Sequence, residues 1–160
     1  MEKTIEGMLD LFNKSWALVS AGGIDDFNTM TVSWGSLGTL WNRSIATVYI
    51  KPCRYTHEFM EKNERFTICF FDEEFKKDLT LLGSRSGRDE DKVALTRLDP
   101  QSLGDCITFR QAKVTLVCHK IYRADFDPSV IPAEVMDKYY SLEAPHTMYI
   151  GEIEDMIFED

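Results

Sequence analysis

Asn28-Thr29-Met30-Thr31-Val32-Ser33-Trp34-Gly35 is the stretch on which the reading of this chain turns. Threonine, valine and tryptophan favour extended backbone and Gly35 favours a turn, so the segment is predicted to be a strand that runs into a glycine turn. The edge of such a strand offers backbone amides and hydroxyls to a flat polar ring. On these residues alone, a half-buried strand whose threonines serve β propensity explains the segment equally well.

Working outward, five more stretches are rich in β-branched and aromatic residues: 16–20, 45–50, 66–71, 113–122 and 148–158, beside 30–34 itself. In Phe66-Thr67-Ile68-Cys69-Phe70 large apolar side chains alternate with smaller ones, as in a strand with one strongly buried face. Gly22-Gly23 ahead of Asp25-Asp26 is turn chemistry and predicts a hairpin between the first two strands. Helices are fewer and shorter: 56–63 with Thr56 as N-cap, 73–82 on the spacing of Phe75, Leu79 and Leu82, and a third after Pro132. Six or so strands with a few short helices predict a mainly β barrel and not an alternating α/β sheet. No repeat, low-complexity run or polar linker divides residues 1–160, which read as a single domain.

Charge and composition narrow the function. Eighteen lysines and arginines face 27 aspartates and glutamates, and a formal charge of -9 repels nucleic acid and anionic membrane. No apolar run approaches the ~20 residues of a membrane span, and the N-terminal residues do not resemble a secretory signal, so a cytoplasmic protein is expected. Cys53, Cys69, Cys106 and Cys118 are widely separated and lack zinc spacing; they read as reduced thiols, with Cys69 and Cys118 as small buried hydrophobes, and no metal site is expected.

Two further segments carry chemistry. Arg54-Tyr55-Thr56 stands ahead of the first predicted helix, where an arginine, a hydroxyl and free helix amides make a compact site for a phosphate dianion. A surface arginine beside a capping threonine accounts for it as well. Gly83-Ser84-Arg85-Ser86-Gly87-Arg88, continuing to Lys92, concentrates cations among serines and glycines in an acidic chain, the composition of a loop that closes over an anion. The Walker pattern is absent, and a solvated loop of balanced charge has the same composition. His57, His119 and His146 belong to no triad or metal spacing. His57 reads as a helix surface residue, and His146, ahead of the last strand, is the candidate that reaches a ligand.

In this order the segments 28–34, Lys51-Pro52-Cys53-Arg54-Tyr55-Thr56, Gly83 to Asp89 with Lys92, and His146-Thr147-Met148-Tyr149-Ile150-Gly151-Glu152-Ile153 resemble the flavin reductase-like, FMN-binding split-barrel family. The resemblance implies a homodimer of split barrels with FMN at or near the subunit interface. It implies that Asn28, Thr29, Met30, Thr31, Ser33 and Trp34 line the isoalloxazine ring and that Arg54 and Thr56 hold the phosphate with Tyr55 beside them. Ser84, Arg85, Ser86, Arg88 and Lys92 would complete the phosphate and ribityl contacts. NADH or NADPH is the implied reductant, and the absence of GxGxxG leaves a nicotinamide to the flavin face and a shallow cleft. Where many flavin reductases have a proline-containing turn, this chain reads Gly35-Ser36-Leu37-Gly38-Thr39-Leu40-Trp41-Asn42-Arg43, similar to a flavoredoxin-like branch. That departure bears on the electron acceptor, which is free flavin or another small molecule in a reductase and a protein redox partner in a carrier.

Overall fold

A computed structural model describes residues 1–159. Seven strands make one antiparallel sheet: β1 (Ala17–Gly23), β2 (Asp26–Val32), β3 (Gly35–Leu40), β4 (Arg43–Ile50), β5 (Arg65–Phe70), β8 (Val114–Asp125) and β9 (Thr147–Phe158), in the spatial order β2-β1-β5-β8-β9-β4-β3. The two edges, β2 and β3, are successive in the chain and joined through Ser33 and Trp34 alone. The sheet therefore curls until its edges are close, yet among the described residues β2 pairs with β1 and β3 with β4, leaving a seam between them. This is a split β-barrel with short helices, as the sequence predicts.

The strand positions explain the burial. Phe66, Ile68 and Phe70 of β5 point into the barrel with Val19, Ala21, Val48, Leu116 and Tyr149, while Leu18 and Cys69 face outward into a second apolar cluster. That outer cluster is covered by α3 (Lys76–Ser84) and by a separate hairpin of β6 (Pro100–Leu103) and β7 (Cys106–Phe109). The Thr67 hydroxyl donates to the Ile107 carbonyl at 2.8 Å, tying the hairpin to β5. β5 is thus buried on both faces, not on the single face its alternation suggests. Gly151 of β9 lies under Phe66, where a Cβ would meet the ring at 2.7 Å.

The expected hairpin joins β1 to β2 with Gly22 paired to Phe27. Gly22 adopts a φ of +95°, and a Cβ there would lie 2.2 Å from the Asp26 carbonyl. The structure adds elements that the residues do not announce. Gly35, expected to open a turn, instead begins β3, and residues 35–40, to which the sequence assigns no strand, pair with β4. Tertiary pairing overrides weak local propensity there. Trp41 and Asn42 turn this hairpin with φ of 51° and 58°, a two-residue connection with both central residues left-handed. At the N-terminus α1 (Glu2–Asp10) buries none of its residues, and the π-helical turn that follows inserts Phe12, 3% exposed, edge-on against Phe70 at 5.4 Å.

The remaining helices, α2 (Tyr55–Lys62) and α4 (Ala133–Tyr139), stand at the ends of strands. The first packs against β1 and β2. The second lies in the long β8–β9 connection, after Pro132 as expected. No helix among the described residues is long and apolar enough to cross a membrane. All four cysteines are free; Cys69, Cys106 and Cys118 are buried and Cys53 is exposed. Burial raises the Cys69 and Cys118 thiols and, with Asp105 beside it, pushes Cys106 up to about 12, so these three stay protonated as small apolar side chains.

Candidate functional site

One groove follows the β2 edge and passes onto the N-terminus of α2. Its first half, about 270 Å³, is lined by Met30 to Trp34, Tyr49, Lys51, Arg54, Tyr139, Glu143 and His146. Its second half, about 260 Å³, is lined by Asn28, Met30, Cys53 to Thr56, Ser84 to Gly87, Lys92 and Glu143. Met30, Arg54 and Glu143 belong to both halves, so the two are continuous.

The β2 half is a backbone surface. Side chains alternate across a strand, so five consecutive residues line one cavity only if the strand presents its edge to it. β2 is an edge strand of the sheet, and its outward N–H and C=O groups have no neighbouring strand. Thr31 directs its hydroxyl away, donating to the Leu79 carbonyl of α3 at 2.5 Å. Thr29 is fully buried on the same side as Ser20, accepting its hydroxyl proton at 2.8 Å and donating to the Val19 carbonyl, and it does not reach the groove. Trp34, 43% exposed, stands where β2 crosses to β3.

The α2 half gathers cations and hydrogen-bond donors. Arg54 precedes the helix in extended backbone, its guanidinium donating to the Gly83 carbonyl at 2.6 Å. Tyr55 and Thr56 open the helix, where the first amides have no acceptor within the helix. Arg54 and not Thr56 is the N-cap residue: Thr56 is inside the helix, 1% exposed, with its hydroxyl accepting the Asn28 amide at 2.8 Å. That bond fixes the strand to the helix. Gly87 crosses directly over it, and a Cβ at Gly87 would lie 2.2 Å from the Asn28 carboxamide oxygen. Only a residue without a side chain fits this crossing.

The loop after α3 closes the same end. Lys92 is 3% exposed, and its ammonium donates to the carbonyls of Leu82 at 2.9 Å and Arg85 at 3.1 Å. Burial, together with Arg54 nearby, pulls its pKa down to about 8. Among the described residues neither Arg54 nor Lys92 has a carboxylate within ion-pair distance; both spend their hydrogen bonds on carbonyls. The outer cations differ. Arg85 pairs with Glu90, and Arg88 pairs with Glu58, donates to the Cys53 carbonyl and lies 4.9 Å over the Tyr55 ring. Ser84 donates to Leu81, and Ser86 accepts the Arg88 amide, which shapes the loop.

His146 is 8% exposed and its Nδ1 is 2.7 Å from the Tyr140 hydroxyl. Burial and Lys51 pull its pKa down to about 4, so the imidazole is neutral at physiological pH. His57 is not the free surface residue its sequence context suggests. Its Nε2 is 3.0 Å from the Thr147 hydroxyl, which donates to Asp125; Arg123 then links Asp125 to Glu61, and Glu61 accepts the Tyr149 hydroxyl. This chain ties α2 to β8 and β9 on the side away from the groove. Sequence reasoning also missed Tyr49, Tyr139 and Glu143, which lie in no local motif, and Lys51, which opens the Lys51–Thr56 segment but is given no role there. Lys51 is anchored by the Tyr139 carbonyl and by Glu143 at 2.7 Å.

The flavin reductase like domain model matches residues 9–160, and the chain belongs to that family. Solved structures agree on the fold. Flavoredoxin from Methanosarcina acetivorans is 20% identical over 91% of this chain and 69% of its own, with a TM-score of 0.71. An FMN-binding protein from Thermus thermophilus, solved with bound p-hydroxybenzaldehyde, is 21% identical over 91% and 72%, with a TM-score of 0.72. The styrene monooxygenase flavin reductase from Pseudomonas putida S12 is 17% identical over 98% and 87%, with a TM-score of 0.69. Comparison with curated protein sequences found no match.

The anion pocket has a testable pH signature. A dianion stabilises the Lys92 ammonium, so binding above pH 8 requires Lys92 to take up a proton. Inorganic phosphate affinity should therefore fall as pH rises from 8 towards 9.5, by up to about tenfold per unit. Calorimetric titrations with Lys92→Met should be weak and flat across that range; an equal slope in the variant would remove Lys92 from the pocket.

Proposed function

We propose that this protein binds FMN in the groove and works as a flavin-dependent oxidoreductase, supplied with electrons by NADH or NADPH and passing them to free flavin or another small acceptor. One observation carries the reading: two cations without carboxylate partners and the free amides of α2 stand at one end of a groove whose other end is an unpaired strand edge beside an aromatic residue. FMN has a dianionic phosphate, a polyol and a flat ring in that order, and the groove offers matching groups in that order. Arg54, Lys92 and the amides of Tyr55 and Thr56 hold the phosphate. Ser84, Ser86 and Asn28 face the polyol, and the backbone of Met30 to Trp34 faces the ring.

Bound flavin supplies hydride acceptance and donation itself. The chain binds it, orients it and excludes water. Gly87 lets the loop approach Asn28, and the Asn28–Thr56 bond keeps the strand edge in register with the phosphate pocket. No protein group is needed to relay a proton at the ring, which accords with a neutral His146 held by Tyr140. A carrier with tightly bound FMN and a protein partner is the second reading, favoured by the charge of -9, which suits a basic partner.

The reading extends to a homodimer in the cytoplasm. Trp41 is 64% exposed in left-handed backbone at the β3–β4 tip, and Ile5, Met8 and Leu9 of α1 are exposed too, which is costly for a lone subunit. Four free thiols suit a reducing compartment.

Two measurements test these statements. Anaerobic addition of NADH, then NADPH, to the FMN-loaded protein should bleach the flavin bands within seconds to minutes; bands that persist would move the assignment to the carrier. Sedimentation should give a dimer for the native protein and a monomer for Trp41→Lys, and a native monomer would end the dimer reading.

A further inference from the structure

Residues 85–92 cross the cationic end of the groove as a strap fixed at both ends. At its start the Arg85 amide donates to the Leu81 carbonyl at 3.0 Å. At its far end the Lys92 ammonium donates to the Leu82 and Arg85 carbonyls, and the Asp91 carboxylate accepts the Ala94 amide at 3.2 Å. The middle is held by one side chain. Arg88 pairs with Glu58, donates to the Cys53 carbonyl at 3.2 Å and lies 4.9 Å over the Tyr55 ring, all in the segment that opens α2. Among the described residues, no other side chain of 86–90 makes a hydrogen bond or ion pair outside the loop.

Gly87, just before Arg88, is the residue that crosses the Asn28–Thr56 bond. Asn28, Gly87 and Lys92 line the cationic half of the groove on one side and, on the other, a cavity of about 340 Å³ that also holds Asp25, Asp26, Glu90 and Asp91. The strap is therefore the wall between the seat formed by Arg54 and Lys92 and a set of carboxylates that repel an anion. Arg88 itself lines neither half of the groove; its guanidinium is turned to α2. The side chains of the Arg88–Glu58 pair are 42% and 44% exposed, and such pairs are weak and screened by salt. A contact that is weak, exposed and alone in closing a wall can open without unfolding anything else.

We propose that Arg88 is a positioning residue, latched through Glu58 to α2, that holds the strap over the seat and whose release lets the anionic ligand enter and leave. The latch stands on these contacts alone; that the ligand is FMN rests on the functional reading above. Passage requires a broken latch, whereas the latch is closed both in the empty protein and with the seat filled. Weakening it therefore speeds entry and release together and leaves their ratio nearly unchanged. A phosphate ligand behaves differently: it acts on the bound state, so its loss weakens affinity through faster release.

Stopped-flow FMN binding is compared for the native protein, Arg88→Gln, Glu58→Gln and the exchanged pair of Arg88→Glu with Glu58→Arg, circular dichroism confirming each fold. Both single variants should raise the association and dissociation rates about fivefold, the size of an exposed ion pair, with Kd nearly unchanged. The exchanged pair should return both rates towards native values. The single variants change local charge in opposite senses, so a long-range electrostatic effect would move their affinities apart, and that result would overturn the proposal. So would an Arg88→Gln protein that loses affinity through release alone, which would make Arg88 a phosphate ligand. Flavin-free protein supplies the second readout: tryptic cleavage after Arg85, followed by mass spectrometry, should be about fivefold faster in both single variants and native-like in the exchanged pair. Unchanged cleavage would overturn the latch whether or not flavin binds. Failure of FMN to bind would sink the flavin reading, and the cleavage rates still decide the latch.

Discussion

A lysine ammonium enclosed by protein, bonded to carbonyl oxygens and, among the described residues, with no carboxylate within ion-pair distance, governs the α2 end of the groove. Lys92 donates to the carbonyls of Leu82 in the last turn of α3 and of Arg85 just beyond it, which ties the far end of the 85–92 loop back to α3, while Arg88, paired with Glu58 and donating to the Cys53 carbonyl, holds the loop against α2. An enclosed charge of this kind is costly, as the lowered pKa reports. The fold tolerates it because carbonyl dipoles point at it and because an anion placed beside it and Arg54 removes the imbalance. In a chain of net charge -9, this concentrated positive spot draws a small dianion past a surface that repels larger polyanions.

The rest of the groove depends on the seam of the barrel. A closed barrel has no free edge, whereas here one edge of β2 has no neighbouring strand among the described residues, and its last three residues, Met30 to Val32, line the groove with Ser33 and Trp34. An exposed edge invites aggregation unless something covers it. The loop to β9, strapped down through Lys51 to Glu143 and the Tyr139 carbonyl, does part of that, and a flavin ring in the proposed pose would do the rest. The Asn28–Thr56 bond couples this edge to the phosphate pocket, so the two ends keep a fixed separation.

The fold was legible because the barrel strands are dense in β-branched and aromatic residues. β3 escaped notice because Gly35, Ser36 and Gly38 have turn chemistry, and only pairing with β4 makes them extended. Of the candidate residues, Arg54, Thr56 and Lys92 line one half of the groove together with Asn28, which the resemblance puts at the ring, while Thr29 turns into the protein because alternate residues of a strand face opposite sides. His57 could not be read locally, since its partner Thr147 is 90 residues away. The aromatic end of the groove is hidden for the same reason: Trp34 and Tyr49 meet Phe126, Tyr139 and His146 of the long β8–β9 connection only in the folded barrel.

The central claim is that the phosphate end anchors the cofactor, and comparing FMN with riboflavin, which lacks the phosphate, tests it most directly. Fluorescence titration should show FMN binding far more tightly than riboflavin, with Arg54→Ala weakening FMN by about 1.5–3 kcal/mol and leaving riboflavin unchanged. Equal affinities for the two flavins, or an Arg54→Ala protein that binds FMN as the native one does, would contradict the account.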